Sequence, residues 1–423
     1  MGIGGLLLFA SLGVGCSGAG QAHSPPPDVI LVVVDALRAD RTPPVAGPPT
    51  LRELARDAEV YERATAPATW CIPVLGSLFT GRWPSFHGAE RDPDDPTAVA
   101  RSIDPGAPTL AELLRGIGLR TAAFAAAGSP MSAGKGLERG FEEIVTLPPR
   151  ADARTVVTAA RHWLEHQRGP VFAFIHLDDL RLGSQQGDDE AVDRADLSIR
   201  YASTGGMTEP RLHQLESDYQ RRIEGVDRAL GALIAVLKEE HRYEDALVIV
   251  TADHGELLGE HSLAGHGWPP FEPIVHVPLL VKRPNRAGAG EQVARRVSTL
   301  GVFATTLRSV GIAAPEDAHA RPLEDLHPVW VEDVDRRGHR ARAGYDGELA
   351  KVISLNDGER EVECLYDLGS DPGELAANCA FDPRLPLRGA LASFGGSGRP
   401  VWPARPRVAA AHPRDDSPVH GAP

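Results

Sequence analysis

The chain has 423 residues, of which 42% are hydrophobic and 24% are charged, so it can bury a large core. Its 44 lysines and arginines are outnumbered by 58 aspartates and glutamates, which gives a formal net charge of -14. This acidic balance argues against a nucleic-acid partner, because binding to a phosphate backbone requires an excess of basic residues. One local positive site could still hold a small anion. Four cysteines in a chain of this length exclude a disulfide scaffold.

The first 27 residues have the features of an export segment followed by a linker. Residues 3–15 carry no charge, and small residues lead to Cys16. This run is shorter than the roughly 20 residues of a membrane-spanning helix but is typical of a secretory signal. Because the residues around Cys16 resemble a bacterial lipoprotein cleavage site, we predict export to the periplasm or cell envelope with a lipid anchor on Cys16. The anchor would be the chain's only membrane contact.

Continuous apolar runs rich in β-branched residues predict strands that are buried on both faces, as in a parallel sheet. Amphipathic helices are predicted between them, at 151–166 and 212–240, where apolar residues are spaced by three or four. The predicted strands lie at 28–34, 121–126, 171–175, 246–250 and 277–281.

This alternation predicts a doubly wound α/β catalytic domain over residues 28–312, with its chemistry beyond the carboxyl ends of the strands. Residues 313–395 contain shorter runs and predict a small α+β subdomain with an antiparallel sheet. Residues 396–423 lack periodicity and predict a disordered tail. Within the subdomain, Cys364 and Cys379 could form a disulfide or remain two thiols, and their spacing leaves both alternatives open.

Ionisable side chains follow three of the predicted strands. Asp35 follows the first strand, His176 follows the strand at 171–175, and Asp253 and His254 follow the strand at 246–250. Parallel strands bring such residues to one sheet edge, where carboxylates and an imidazole can hold a divalent cation. Without a cation, the clustered carboxylates would repel one another.

Residues 71–81 predict a short helix with Cys71 at its N terminus. Pro73 fits the first turn and Gly81 fits the C-terminal stop. At that end of a helix the macrodipole favours an anion and lowers the pKa of a thiol. The alternative is that Cys71 is a small, buried apolar side chain.

The order of these motifs resembles the sulfatase family of the alkaline phosphatase superfamily. The resemblance covers about residues 28–380 and implies an alkaline-phosphatase-like fold, with a mostly parallel sheet between helices. The segments that carry it are 32–41, 69–88, 251–261, 265–281 and 364–378.

The resemblance implies a role for each matching residue of the metal site. Asp35, Asp253 and His254 match the metal ligands, and Cys71 matches the nucleophile. In sulfatases this cysteine is oxidised to formylglycine (3-oxoalanine), whose hydrate attacks sulfur.

Three further residues are implied to contact the substrate. His266 matches a histidine that binds the substrate or protonates its leaving group. His176 and Arg181 lie in a segment similar to the family's His-x-x-Asp-Pro-His, with Arg181 in place of the second histidine. The guanidinium group of an arginine at this position could bind a sulfate or phosphate.

Two departures from the family pattern affect the expected chemistry. The signal for cysteine oxidation, Cys-x-Pro-x-Arg, has Leu75 in place of its arginine. Ala36 replaces the second aspartate of the usual pair, and His254 stands where many calcium sulfatases have asparagine. Calcium is the family expectation, and manganese and zinc are alternatives because an imidazole suits them.

Three functional interpretations result. The first is a metal-dependent hydrolase of small anionic sulfate esters, and the second is a hydrolase of phosphate or phosphonate esters on the same scaffold. The third, motivated by Leu75, is a catalytically inactive relative at the cell surface. The sequence does not indicate an oligomeric state.

Overall fold

The computed structural model describes residues 25–376 and Cys379, except 45, 93–99, 181–207, 268, 335–337, 357–358 and 360. The predicted export segment with Cys16, Arg181 and the predicted tail therefore lie outside the described residues. Among the residues that are described, no helix combines the length and the apolar character needed to cross a bilayer.

The described strands form two main sheets and one small hairpin. In chain order they are β1 (Val29–Val34), β2 (Glu59–Thr65), β3 (Arg120–Ala126), β4 (Glu143–Leu147), β5 (Val171–Leu177), β6 (Leu247–Ala252), β7 (Leu257–Leu258), β8 (Ala264–Gly265), β9 (His276–Val277), β10 (Leu279–Lys282), β11 (Gln292–Ser298), β12 (Trp330–Val334), β13 (Arg340–Asp346), β14 (Ala350–Asn356) and β15 (Glu361–Asp367).

The described α-helices are α1 (Pro49–Asp57), α2 (Cys71–Thr80), α3 (Pro84–His87), α4 (Leu110–Gly116), α5 (Ala153–Glu165), α6 (Glu209–Glu239), α7 (Glu272–Val275) and α8 (Gly301–Ser309). Short 3-10 turns occur at Ala39–Arg41, Pro130–Ser132, Glu260–Ser262 and Pro284–Arg286. Helices α1, α5 and α6 pack together, and α2, α4 and α8 form a second group. Two such groups are expected for the two faces of a doubly wound sheet.

The central sheet has the strand order β11-β2-β10-β6-β1-β5-β3-β4, with β9 paired to β2. Its strands are parallel except β9 and β10, which run against their neighbours. Every residue of β1 is fully buried, as its unbroken β-branched run predicts. This confirms the predicted fold, a mostly parallel α/β sheet between helices with a small antiparallel sheet near the C terminus.

The run at 277–281 differs from its prediction as a single strand of the parallel type. Pro278 separates β9 from β10, and β10 pairs antiparallel with β6 and β2. Proline has no N–H for the ladder, so an uninterrupted central strand cannot pass through it. An apolar run alone does not encode strand direction.

Strands β12 to β15 form the second sheet, which is antiparallel throughout. It lies within the segment predicted as a subdomain, whose boundary at residue 313 stays a prediction. Cys364 in β15 forms a disulfide with Cys379, which resolves the alternative that the sequence left open.

A buried ionic cluster joins this second sheet to helix α7 and to the residues just before it. Lys351 of β14 is fully buried, and its Nζ lies 3.0 Å from Glu272 Oε1 and 2.8 Å from Glu374 Oε1. The same ammonium donates a hydrogen bond to the carbonyl of Pro270, at 2.7 Å. The ammonium therefore contacts two buried carboxylates from separate parts of the chain, and Arg296 lies 3.4 Å from the second oxygen of Glu272.

Replacing Lys351 with methionine should destabilise the protein by about 3–5 kcal/mol, because the buried carboxylate of Glu374 would lose the cation that pairs with it. Lys238→Met is the matched control, since Lys238 pairs with Glu53 at the surface and such pairs contribute about 1 kcal/mol or less. The free energy of unfolding in urea measures both effects. Similar losses in the two variants would contradict the role given to Lys351.

Candidate active site

Side chains from β1, β6 and α2 meet at the carboxyl edge of the central sheet. Strands β1 and β6 pair in parallel with Val34 opposite Ala252, so Asp35 and Asp253, which follow them, emerge side by side. His254 comes next, and Cys71 is the first residue of α2. All four of these predicted site residues are buried, as expected for side chains that meet inside the protein at one edge of the sheet.

The four side chains lie within a few ångströms of one another. Cys71 Sγ is 3.6 Å from Asp35 Oδ2 and 3.4 Å from His254 Nε2. His254 Nε2 is 3.2 Å from Asp35 Oδ1 and 3.8 Å from Asp253 Oδ1. One possible ligand atom from each residue lies within 4.8 Å of all the others. This arrangement fits a single divalent cation.

The chemistry of these groups also fits a cation. Asp253 Oδ2 is buried, and none of the described residues gives it a hydrogen bond of ordinary geometry. Its neighbour His176 Nε2 is 3.5 Å away, longer than a usual hydrogen bond. A buried carboxylate oxygen in this state is costly unless a positive charge is nearby. Asp35, Asp253 and His254 are therefore suitable ligands.

Both histidines beside these carboxylates have raised pKa values. Burial alone would lower the pKa of His254, but the neighbouring Asp253, Cys71 and Asp35 raise it well above its ordinary value. Burial would also lower the pKa of His176, but the neighbouring Asp253 and Asp35 raise it above its ordinary value. The site attracts positive charge, and a bound cation would compete with these protons. His176 lies inside β5, which extends through Leu177, rather than after the strand.

His266 follows β8 and faces the same cluster. Its ring centroid is 4.1 Å from that of His254, and its Nδ1 is 3.0 Å from Glu256 Oε2. A carboxylate at one ring nitrogen fixes the orientation of the imidazole. Glu256 was not predicted as a site residue. The sequence signal that could have indicated it was its position two residues after His254. Its contact with His266 depends on the folded hairpin of β7 and β8.

The loop after Asp35 is held in an unusual conformation. Ala36 has a φ of 63°, in the left-handed region that non-glycine residues rarely adopt. The Tyr219 hydroxyl donates to the Ala36 carbonyl at 2.6 Å and accepts from the Arg38 amide at 3.0 Å. Asp253 Oδ1 accepts from the Ala36 amide at 3.3 Å. These bonds fix the backbone beside Asp35, although the sequence showed Tyr219 only as part of an apolar helix face.

The second sheet holds the turn before Cys71. Asp333 of β12 accepts hydrogen bonds from the Thr69 hydroxyl and, at 3.1 Å, from Trp70 Nε1. Burial raises the pKa of Asp333 to about 6. Trp70 is the N-cap of α2 and gives its first turn no side-chain hydrogen bond. The unpaired N–H groups of a helix start and its macrodipole favour an anion there.

Leu75 lies one turn after Cys71 in α2, is fully buried and belongs to the apolar core. Where the family's oxidation signal has an arginine, this chain thus has a core side chain. Arg181, the other predicted cation of the site, lies outside the described residues.

The fold is that of an α/β protein with a mostly parallel sheet. Carboxylate, imidazole and thiol groups converge at the carboxyl edge of this sheet and form a candidate metal site. A family model described as Sulfatase matches residues 27–312, about two thirds of the chain. The chain belongs to the sulfatase family.

Curated relatives match over part of their length. Arylsulfatase K of Bos taurus is 29% identical over 202 residues, which cover 43% of this chain and 36% of that protein. Arylsulfatase K of Homo sapiens is 29% identical over 192 residues, covering 41% and 35%. The chain therefore matches only about a third of the length of these relatives.

Solved structures match over most of the chain. The phosphonate monoester hydrolase of Agrobacterium radiobacter has a TM-score of 0.69 at 20% identity and covers 87% of this chain and 94% of its own. A putative sulfatase from Bacteroides thetaiotaomicron has a TM-score of 0.68 at 16% identity, covering 87% and 90%. At this identity the likeness shows the shared fold.

Tyr219→Phe should weaken divalent-cation binding by about tenfold, because groups that support metal ligands typically contribute 10–100-fold to affinity. It should also lower the free energy of unfolding by about 1–3 kcal/mol, through two lost hydrogen bonds. Titration calorimetry with Zn²⁺ or Mn²⁺ and urea unfolding measure the two effects.

Tyr243→Phe is the matched control, because the Tyr243 hydroxyl bonds to Asp57 at 2.9 Å instead of the Asp35 loop. We expect this variant to lose some stability and to keep the cation affinity. Equal affinities in the wild type and Tyr219→Phe would exclude a supporting role for Tyr219.

Proposed function

We propose that the chain is a metal-dependent hydrolase of small anionic sulfate esters. The observation that carries the proposal is the convergence of Cys71, at the start of α2, with Asp35, Asp253 and His254. A nucleophile position, a cation site and an anion-binding helix end then share one place, as transfer of a negatively charged ester group requires.

We propose a role for each residue from its contacts within the cluster. Asp35, Asp253 and His254 would hold the cation, which would supply Lewis-acid polarisation of an ester oxygen. Cys71, oxidised to formylglycine (3-oxoalanine), is the proposed nucleophile. Backbone N–H groups at the start of α2 favour the anionic group. Calcium is the cation expected from the family, with manganese and zinc as alternatives.

His266 is the proposed general acid for the leaving group. Glu256 accepts from its Nδ1 and orients the ring, and Nε2 is the nitrogen proposed to exchange a proton with the substrate. His176 is proposed to act beside the substrate through its contact with Asp253, and Arg181 to bind the sulfate.

Hydrolysis of phosphate or phosphonate esters is the second candidate activity. It is supported by the structural similarity to a phosphonate monoester hydrolase and by Ala36 and His254, which resemble the four-ligand metal pattern of the phosphonate monoester hydrolase branch. The buried Leu75 supports the third alternative, a protein that binds its ligand without turnover. We further propose export with a lipid anchor at Cys16.

The chemical state of Cys71 and the turnover of esters together test the proposal. Conversion of the thiol to the aldehyde lowers the mass of the Cys71 peptide by about 18 Da, because the residue loses the atoms of H₂S and gains one oxygen atom. Converted protein should hydrolyse 4-nitrophenyl sulfate faster than bis-4-nitrophenyl phosphate or a phenylphosphonate ester. Cys71→Ala should lower the rate by at least about a thousandfold.

Ser77→Ala is the control, because Ser77 is buried in the same helix but contacts His87 instead of the cluster. It should retain most of the activity. Faster cleavage of the phosphorus esters would favour the second candidate. Converted, metal-loaded protein that cleaves none of these esters would contradict both enzymatic proposals.

The role of His266 predicts a dependence on the leaving group. His266→Ala should lower the hydrolysis of an alkyl sulfate by about 10²–10⁴-fold, the usual contribution of general acid catalysis. The loss should be much smaller for 4-nitrophenyl sulfate, whose leaving group needs little protonation. Glu256→Gln should show the same trend with smaller losses.

His261→Ala is the control for this series, since His261 stacks on Phe271 rather than on His254. It should affect both substrates equally. Comparable losses of His266→Ala on the two sulfates would remove His266 from leaving-group protonation.

A further inference from the structure

We propose that His162, Glu165 and His166, at the C-terminal end of α5, form a second metal site that binds a divalent transition-metal ion such as zinc. This site is separate from the candidate active site, and the inference does not depend on the proposed hydrolysis. None of the three residues was predicted as a site residue.

The spacing of the three side chains brings their ligand atoms together. Residues that are three and four positions apart are neighbours on the surface of a helix, and Glu165 and His166 follow His162 at these two spacings. The two imidazole centroids are 4.5 Å apart. One possible ligand atom from each of the three residues lies within 4.8 Å of the others. Ligand atoms around zinc stand roughly 3–4 Å apart, so small side-chain rotations would complete the site.

A hydrogen bond already orients one of the two imidazoles for metal binding. His166 Nδ1 lies 2.7 Å from the carbonyl oxygen of His162. A carbonyl oxygen can only accept, so Nδ1 carries the proton and donates it, and the lone pair of the neutral ring is then on Nε2. Histidines that bind metals usually donate their other N–H to a carbonyl or carboxylate in this way. The ring of His166 therefore has the tautomer that a metal requires.

The end of α5 is a favourable and well-anchored position for a cation. The negative end of the helix macrodipole lies at the last turn, where the three residues stand. The opposite face of the same turn is fixed in the core, because Trp163 is buried and its ring packs edge-on against Phe124 at 5.8 Å. His162 and His166 are exposed and Glu165 is half-buried. A rigid backbone thus presents three accessible ligands to solvent.

The donor chemistry selects the kind of cation. Imidazole nitrogens suit zinc, copper and nickel, and a carboxylate supplies negative charge beside them. Three protein ligands leave the fourth tetrahedral position to a water molecule. Calcium takes six to eight oxygen ligands and should bind poorly to two imidazoles and one carboxylate.

The position of α5 separates this group from the candidate active site. Helix α5 ends shortly before β5 begins at Val171, so the group lies toward the amino edge of the central sheet. Asp35 and Asp253 lie at the carboxyl edge. The seven residues of β5 span roughly 20 Å at about 3.3 Å per residue, too far for the two groups to share an ion. A metal on α5 would fix the end of this helix and would not contact the ester.

Titration with Zn²⁺ and hydrogen exchange test the proposal together. Full-length protein without a histidine tag should bind one more zinc ion per chain than the double variant His162→Ala/His166→Ala, as measured by calorimetry. Glu165→Gln should weaken the binding of this ion by about tenfold. Zinc should also slow the amide exchange of residues 163–168 in the wild type, because a bridged helix end frays less. It should leave this exchange unchanged in the double variant, and Ca²⁺ should have no effect in either protein.

Two controls assign the signal to α5. His213 on α6 is an exposed histidine between two glutamates, with its ring nitrogens 3.9 Å from Glu209 and 4.0 Å from Glu216. Because it offers only one imidazole, His213→Ala should keep the zinc stoichiometry of the wild type. Asp253→Asn changes a predicted ligand of the candidate active site, so it should weaken the binding of the other ion and keep the exchange effect at residues 163–168.

The alternative explanation is that the two histidines contact each other and the helix end without a metal. In that case the wild type and the double variant would bind the same number of zinc ions with the same affinities, and this result would overturn the inference. Amide exchange at residues 163–168 that zinc leaves unchanged in the wild type would overturn it as well. Neither measurement uses ester turnover, so the result is independent of the outcome for the proposed function.

Discussion

The parallel pairing of β1 with β6 is the constraint on which the site depends. With Val34 opposite Ala252, the next residue of each strand is a carboxylate at the same height on the sheet edge. A shift of one residue in this register would turn one of the two side chains to the other face of the sheet. The fully buried β-branched run of β1 places this pairing in the core, so core packing and site assembly involve the same strand.

The second constraint is electrostatic. Asp35, Asp253 and Glu256 are completely buried within a few residues of the two strand ends, and such carboxylates destabilise a fold unless positive charge is near. His176 and His254 supply it in the protein alone, as their raised pKa values show. A cation bound at this edge would offset the cost of burying these acids.

Much of the core and the convergence of the four candidate site residues could be predicted because their signals are local. The unbroken apolar runs gave β1, β3, β5 and β6, and residues at strand ends gave Asp35 and Asp253. Strands β2, β4 and β11 include exposed or half-buried residues and did not stand out. Glu256, Tyr219 and Asp333 act through contacts that exist only after folding, and Tyr219 and Asp333 lie far along the chain from the groups they hold.

The two departures from the family pattern are best considered together. Relative to the family pattern, Ala36 removes one carboxylate and Leu75 removes one guanidinium, so the summed formal charge of the two positions is unchanged while the number of hard oxygen donors falls. Tyr219 supports the strained backbone at Ala36, and the core accepts Leu75, so both substitutions are accommodated by the surrounding fold. Fewer hard oxygen donors beside Asp35 would favour a cation that also accepts nitrogen ligands such as His254. The sulfur of Cys71 lies beside this imidazole, 3.4 Å from His254 Nε2, so the candidate nucleophile and the candidate cation site occupy the same cluster.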